Sequence, residues 1–308
     1  MSSYVGIDVS KATLAVCVQP NARSVTLPNS PEGFRRLVDW LPRRGVENVL
    51  LEATGGYERE VMKALLVAGL PVTRVNPRRA RAFAIAAGKT AKTDPIDAAL
   101  LARMAELVKA PASAPDPLRE ELRALVQRRE QLTQHRDDER RRLRQATLPR
   151  VRDSLIDAIG GLRRQIRLFD RAIGEHTRRL NDALSLRFSA IKGLGPVTVA
   201  GLLAYVPELG QLDRRQIAAL VGLAPYNTDS GQRTGKRCIR GGRGPIRRVL
   251  YMACWSIVRH QPHFKARYAQ LRARGKCAKV ALVACMRILI IRLNAMVRDQ
   301  TEWRVDPA

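Results

Sequence analysis

The sequence predicts an α/β unit followed by an all-α remainder. Short apolar runs bounded by turn residues, the mark of strands, are confined to the stretch before Pro77. From Leu118 onward the apolar residues recur at helical spacing instead. Charge is divided in the same way. Residues 1–110 carry 16 basic and 10 acidic side chains, residues 111–184 carry 17 and 12, and residues 185–308 carry 22 and 6. Carboxylates able to do chemistry therefore lie early, and the strongest attraction for a polyanion lies late.

In the first unit, residues 1–110, Tyr4-Val5-Gly6-Ile7-Asp8-Val9 is a short apolar strand that ends in an acid. Ser10-Lys11 makes a tight turn, Leu14–Val18 is a second strand and Ser24–Leu27 a third, which together predict an antiparallel meander. Asn29-Ser30-Pro31-Glu32 starts a helix running through Phe34, Leu37, Val38 and Leu41. Glu47–Glu52 is a fourth strand, read as apolar up to its last residue, as a buried central strand should be. Tyr57–Leu66 is helical, Pro71–Asn76 is a fifth strand and Pro77–Ala87 a further helix. In Lys92-Thr93-Asp94-Pro95-Ile96-Asp97, Asp94 can N-cap the last helix, with Pro95 at its first position and Asp97 at N3. Leu100, Leu101, Met104 and Leu107 continue it. The i, i+3 spacing puts Asp94 and Asp97 on one face. Two like charges so placed need solvent or a cation. The plain alternative is a capped helix whose acids suit its dipole.

Ala110–Pro117 is a linker by composition. Beyond it Leu118, Leu122, Leu125, Val126, Leu132 and Leu143 form one narrow apolar stripe. Ile159, Leu162, Ile166, Ile173 and Leu180 form a second, on a helix from about Leu155 to Leu184. Stripes this narrow predict a coiled-coil hairpin over residues 111–184, the expected place for dimerisation. The run Arg140-Arg141-Arg142 reads as a solvated face, with nucleic-acid contact as a second reading.

In residues 185–308, Ile191-Lys192-Gly193-Leu194-Gly195-Pro196 resembles a helix-hairpin-helix element, in which Gly193 and Gly195 let backbone N–H groups meet a DNA phosphate; a plain helical turn is the alternative. Ile217–Pro225 is a short helix and turn. Tyr226–Arg237 is polar, basic and glycine-bearing. Arg233, Lys236, Arg237 and the nearby Arg243 are candidate phosphate contacts, as are Lys11 and Lys92 beside the early acids. The glycine spacing of a nucleotide-binding P-loop is missing. Ser230 lies in this loop with no adjacent base, and a serine hydroxyl needs a base or metal to become a nucleophile. The residues alone leave it either a nucleophile or an ordinary loop serine.

The composition sets bounds. Hydrophobic residues make up 45% and charged residues 27% of the 308, as in ordinary globular proteins, but 55 Lys and Arg against 28 Asp and Glu give a charge of +27. That balance points to nucleic acid. The five cysteines form no CxxC pair, and His260 and His263 lack further ligands for zinc. The apolar run from Val280 to Val297 is interrupted by Arg287 and Arg292, which argues against a membrane span. With no signal peptide apparent, a reduced, cytoplasmic protein is expected.

The order β-β-β-α-β-α-β-α-α resembles the RNase H-like fold. Asp8 in Gly6-Ile7-Asp8, Glu52 in Leu51-Glu52-Ala53-Thr54-Gly55, and Asp94 and Asp97 match the points where RuvC-like members of that superfamily place their acids. Taken singly, Asp8 is equally a strand-end turn residue and Glu52 a solvated rim acid. The four in this order imply a set that holds two Mg²⁺ ions. Over nearly its whole length the chain looks like a DEDD-type insertion-sequence transposase, a family whose relatives include the Piv DNA invertases. Gly6-Ile7-Asp8-Val9-Ser10-Lys11, Glu52-Ala53-Thr54-Gly55, Lys92-Thr93-Asp94-Pro95-Ile96-Asp97-Ala98, and Gly222-Leu223-Ala224-Pro225 followed by Ser230-Gly231 carry the resemblance.

The resemblance implies a transposase or site-specific recombinase in which Ser230 forms a phosphoserine link to DNA. It also implies a bridge RNA that pairs with donor and target DNA, and a nucleoid-associated bacterial or archaeal protein. The acids and Ser230 lie more than a hundred residues apart, so the expected active site is composite, within one chain or between subunits of a homodimer or homotetramer. Two alternatives stand beside it. One is a Holliday-junction nuclease in which water attacks; the other is a non-catalytic architectural protein.

Overall fold

The computed structural model describes residues 2–42, 45–88, 93–108, 116–227, 235 and 237–303. The chain divides into two units, residues 1–114 and 115–308.

In the first unit, β1 (Ser3–Val9), β2 (Thr13–Gln19), β3 (Arg23–Pro28), β4 (Val46–Glu52) and β5 (Val72–Val75) form one sheet of order β3-β2-β1-β4-β5. The first three strands are the antiparallel meander that their short turns require, and β4 and β5 join parallel to β1. Alternation sorts the side chains by face. Val5, Ile7, Val9, Val49 and Leu51 pack with Leu37 of α1 (Pro31–Trp40) and with Val61 and Leu65 of α2 (Glu58–Val67). Leu50 and Val75 pack on the opposite face with Leu101 and Met104 of α4 (Asp94–Leu107), beside Phe83 of α3 (Pro77–Ala86). On that face Gly6 lets α4 lie directly on β1. A Cβ there would come within 2.2 Å of the Ala98 carbonyl oxygen and the Ala102 nitrogen.

The start of α4 differs by one position from the sequence expectation. Thr93, not Asp94, is the N-cap. Its backbone is extended (φ −145°, ψ 148°), and its carbonyl accepts from the Asp97 N–H at 2.9 Å. Asp94 is thus the first helical residue, Pro95 the second and Asp97 the fourth. Proline is tolerated at either early position because neither N–H has an intrahelical partner to lose.

In the second unit, α5 (Pro117–Gln145) and α6 (Pro149–Ser189) pair antiparallel, as the contact Glu121–His176 and the ion pair Arg129–Asp170 require. α6 begins at Pro149, earlier than the pattern suggests, since proline suits the first turn of a helix. Near its end Asn181 leaves helical geometry (φ −163°, ψ 92°), and its side chain accepts from the Leu184 N–H, so the chain breaks and restarts there. In the basic run, Arg141 and Arg142 pair with Asp138 and Glu139 on an exposed face.

Leu122, Val126, Ile173 and Phe188 of this hairpin share a core with the C-terminal helices. Those are α7 (Pro196–Tyr205), α8 (Arg214–Leu220), α9 (Gly244–His260), α10 (Pro262–Ala273) and α11 (Ala278–Arg298). The helical middle therefore packs as part of the second unit. α11 is long and apolar enough to cross a membrane. Its Leu282, Cys285, Met286, Leu289, Ile290 and Leu293 are nonetheless buried in this core. β6 (Pro225–Tyr226) and β7 (Cys238–Ile239) form a two-residue antiparallel ribbon. All five cysteines are free thiols.

Candidate active site

β1 and β4 are parallel neighbours with Ile7 opposite Leu51, so the next residues, Asp8 and Glu52, stand side by side at their C-terminal ends. Alternation turns both to the face that carries Gly6 and Leu50, the face covered by α4. Both are half-buried.

The direction of α4 follows from two contacts. Ala105 and Val108, at its C-terminal end, accept hydrogen bonds from Asn48, near the start of β4, whereas Ala98 and Ala102 lie over Gly6, farther along β1. The helix therefore runs antiparallel to β1 and β4, and its first turn returns to the strand ends that carry Asp8 and Glu52. Asp94 is exposed and Asp97 half-buried on that turn. Four residues, the first and last of them 89 positions apart in sequence, come to one end of one sheet.

The loops at this end are tied together. Ser10 Oγ accepts from the Ala12 and Thr13 N–H groups and closes the β1–β2 turn, which leaves Lys11 exposed. The Asn29 side chain donates to the carbonyl of Ser10 at 2.8 Å and of Tyr57 at 3.3 Å, joining that turn to the loop after β4. Glu58, only 3% exposed, holds that loop from beneath. One oxygen accepts from the Thr54 N–H at 3.1 Å and the Gly56 N–H at 2.9 Å, and the other accepts from Arg74 at 3.2 Å. Burial pushes the Glu58 pKa up. Donation from its own backbone N–H and from Gly56 and Thr54, with the charge of Arg74, outweighs this and holds the carboxyl below its ordinary value. Arg74 is thereby engaged by an acid, while Arg78, Arg79 and Arg81 are exposed on α3.

Glu58 and Asn48 escaped the sequence reading. Their signals were present. Glu58 follows Thr54-Gly55-Gly56 at capping distance, and Asn48 interrupts a strand read as apolar although it is buried there.

Among the described residues, no three Asp, Glu, His or Cys side chains stand close enough together to share a metal ion as they are. The donor set is nevertheless all oxygen, the ligand type that Mg²⁺ prefers, and the backbone delivers all four acids to one place. In donor type, the four acids suit that ion.

In the second unit, Gly193 (φ +106°) and Gly195, the N-cap of α7, lie in the turn between α6 and α7. The Gln261 side chain donates to the Lys192 carbonyl in that turn. Arg237 is exposed beside β7. Arg243 instead turns inward: it makes a two-pronged pair with Glu208 at 2.7 and 2.6 Å and donates to the Tyr205 carbonyl. It braces the start of α9 rather than presenting a free cation. Ser230, Lys92, Arg233 and Lys236 lie outside the described residues.

Comparison with known proteins defines the class. A family model described as a DEDD transposase of the IS110 type matches residues 5–151, and one described as transposase of the IS116/IS110/IS902 family matches residues 185–269. The chain is a DNA transposase or recombinase, an enzyme rather than an architectural protein. It is 28% identical to the pilin gene-inverting proteins of Moraxella bovis and Moraxella lacunata, over 96% of each chain. It is 32% identical to the insertion element IS110 43.6 kDa protein of Streptomyces coelicolor, over 38% of this chain and 30% of that protein. The chain belongs to the IS110 family of transposases.

Proposed function

We propose that Asp8, Glu52, Asp94 and Asp97 hold two Mg²⁺ ions in a centre that cuts and rejoins DNA, with Ser230 as the nucleophile. The observation that carries this reading is the delivery of all four acids to one end of the sheet, two by adjacent parallel strands and two by the first turn of an antiparallel helix. The strand order β3-β2-β1-β4-β5, with helices on both faces, supports an RNase H-like, RuvC-like assignment.

Bound Mg²⁺ would stabilise negative charge on the attacking and leaving oxygens of phosphoryl transfer. The protein's own part is placement. Asp8 and Glu52 project from strands fixed by the sheet ladder, and Asp94 and Asp97 from a helix seated on Gly6. Ser230 Oγ attacks the scissile phosphorus, loses its proton, and forms a phosphoserine bond as the bond to a deoxyribose oxygen breaks. That oxygen leaves as a hydroxyl. A hydroxyl end later attacks the phosphoserine and restores the serine. One phosphodiester replaces another, so no external energy source is needed. Similarity to a protein named for inverting a pilin gene supports rejoining over hydrolysis by water.

The excess of base over acid in residues 185–308 supports binding of donor and target DNA and of a bridge RNA. The turn before α7 supports a helix-hairpin-helix contact to phosphate. The long α5–α6 hairpin supports a homodimer or homotetramer through its outer face.

The test is trapping. A reaction on labelled DNA, denatured in mid-course, should hold a protein–DNA adduct that both Ser230→Ala and Asp97→Asn abolish. An adduct that survives Ser230→Ala refutes the serine assignment, and hydrolysed ends with no adduct favour attack by water. Copurification of a structured RNA tests the guide.

A further inference from the structure

We infer that Asn48 is a positioning residue for the acid set: it fixes how far α4 reaches along the sheet, and so where Asp94 and Asp97 stand relative to Asp8 and Glu52. The inference rests on the reading of those four acids as metal ligands.

Around Gly6 and toward β2 the interface of α4 is made of small groups, with Tyr4 of β1 packed farther along beside Leu101 and Met104. Ala98, Ala99 and Ala102 meet Ala15, Cys17 and the bare backbone of Gly6. Leu101 and Met104 add apolar contacts on Leu50 and Val75, but such contacts are non-directional. Directional bonds come from Asn48, which is 2% exposed. Its amide nitrogen donates to the carbonyls of Ala105 and Val108 in the last turn of α4, and its oxygen accepts from Thr73 Oγ1 of β5 at 2.8 Å. These bonds satisfy both ends of the amide and reach two carbonyls at the end of the helix.

The distances agree. Asn48 and Glu52 lie on one face of β4, four residues apart, or about 13 Å at the rise of a strand. Ala105 and Val108 lie eleven residues beyond Asp94 and Asp97, or about 16 Å at the rise of a helix. A helix pinned at Asn48 therefore presents its first turn at the level of Glu52. A slip of one helical residue would move both aspartates by about 1.5 Å, whereas Mg²⁺ demands near-octahedral geometry with ligand distances held to about 0.2 Å.

The test uses the full-length protein and Mn²⁺ as a hard-cation probe, with free ion followed by electron paramagnetic resonance. Asn48→Leu keeps the bulk and removes the tether. Thr73→Val removes only the bond that orients the amide, and serves if the first variant does not fold. The expected result is Mn²⁺ binding roughly 10- to 100-fold weaker in Asn48→Leu, as for loss of a residue that orients ligands, and weakened less in Thr73→Val. DNA affinity measured in chelator should equal that of the wild type in both, which a general loss of structure would not allow. Folded variants that bind Mn²⁺ within twofold of wild type overturn the inference. Asp97→Asn, titrated in parallel, separates the two levels. If it abolishes Mn²⁺ binding while the Asn48 and Thr73 variants match wild type, only the positioning role fails; if it changes nothing, the acid reading fails and the inference with it.

Discussion

Replacing Glu58 by glutamine keeps its shape and removes its charge, so it isolates what the carboxylate does for the loop behind Glu52. In the wild type one oxygen accepts from both the Thr54 and Gly56 N–H groups, and the other accepts from Arg74. Glutamine turns one oxygen into a donor, which must face either the two backbone N–H groups or the guanidinium. Hydrogen bonds to a charged acceptor contribute about 1.5–3 kcal/mol net. Arg74 is a third exposed, so water takes over much of its share and its ion pair adds little.

The loop should therefore open more easily by about 2–3 kcal/mol, which is roughly 30- to 160-fold in an equilibrium constant. Hydrogen exchange followed by mass spectrometry reads this at the Thr54 and Gly56 amides in the intact protein. The sign with pH is also set. The folded carboxyl lies below its ordinary value of 4.5, so its stabilisation is complete above that pH and is lost as pH falls through the lower folded value. Wild type should lose protection at these amides in acid beyond the intrinsic change in rate, and Glu58→Gln should show no such limb. Exchange within threefold of wild type at both amides at pH 7 would refute the assignment of Glu58 as the anchor of this loop.

Gly6→Ala would put a methyl within 2.2 Å of the α4 backbone. Overpacking of this kind costs about 1–3 kcal/mol, so a lower denaturant midpoint is expected, with strand cleavage falling more than DNA binding as α4 lifts. Gly241 and Gly242 both adopt positive φ, but only at Gly242 would a Cβ meet other atoms, 2.1 Å from the Gly222 nitrogen. Gly241→Ala should cost about 1–2 kcal/mol for the left-handed backbone alone, and Gly242→Ala clearly more, by urea unfolding. Arg243→Lys should destabilise the second unit by about 1 kcal/mol, because lysine cannot reproduce the two-pronged pair with Glu208 and both side chains are about a third exposed. Burial pushes the Glu208 carboxyl up, but Arg243 holds it below 4.5; the difference between wild type and variant should therefore persist above that pH and narrow below it.

Much of this molecule was legible in one dimension. The strands of the first unit announced themselves by apolar runs between turn residues, and all five start and end within a residue of their predicted limits. The four acids stood out because each lies at a junction, after a strand or at a helix start, and the resemblance to RuvC-like proteins made them a set. The early start at Pro149 was missed because proline is read as a stop, yet it is at home in a first turn. The break at Asn181 was missed because the helical reading ran through it to Leu184, although asparagine can end one helix while capping the next.

Residues whose partners lie far away were misread or overlooked. Arg243 counted as a phosphate contact because nothing near it in sequence is acidic, but Glu208 lies 35 residues upstream. Asn48 was passed over within an apolar strand, and its partners on α4 lie 57 and 60 residues downstream.

By itself the sequence determined which segments are strands and helices, that four acids sit at their ends, and that the charge favours a polyanion. These follow from local periodicity and composition. Only the tertiary structure decided that α4 lies antiparallel across β1 and β4, that Asp8 and Glu52 share its face, and that Asn48 and Glu58 hold the parts in place. Those facts depend on which buried polar groups find partners, and in a packed interior that is settled by distance in space, to which distance along the chain is no guide.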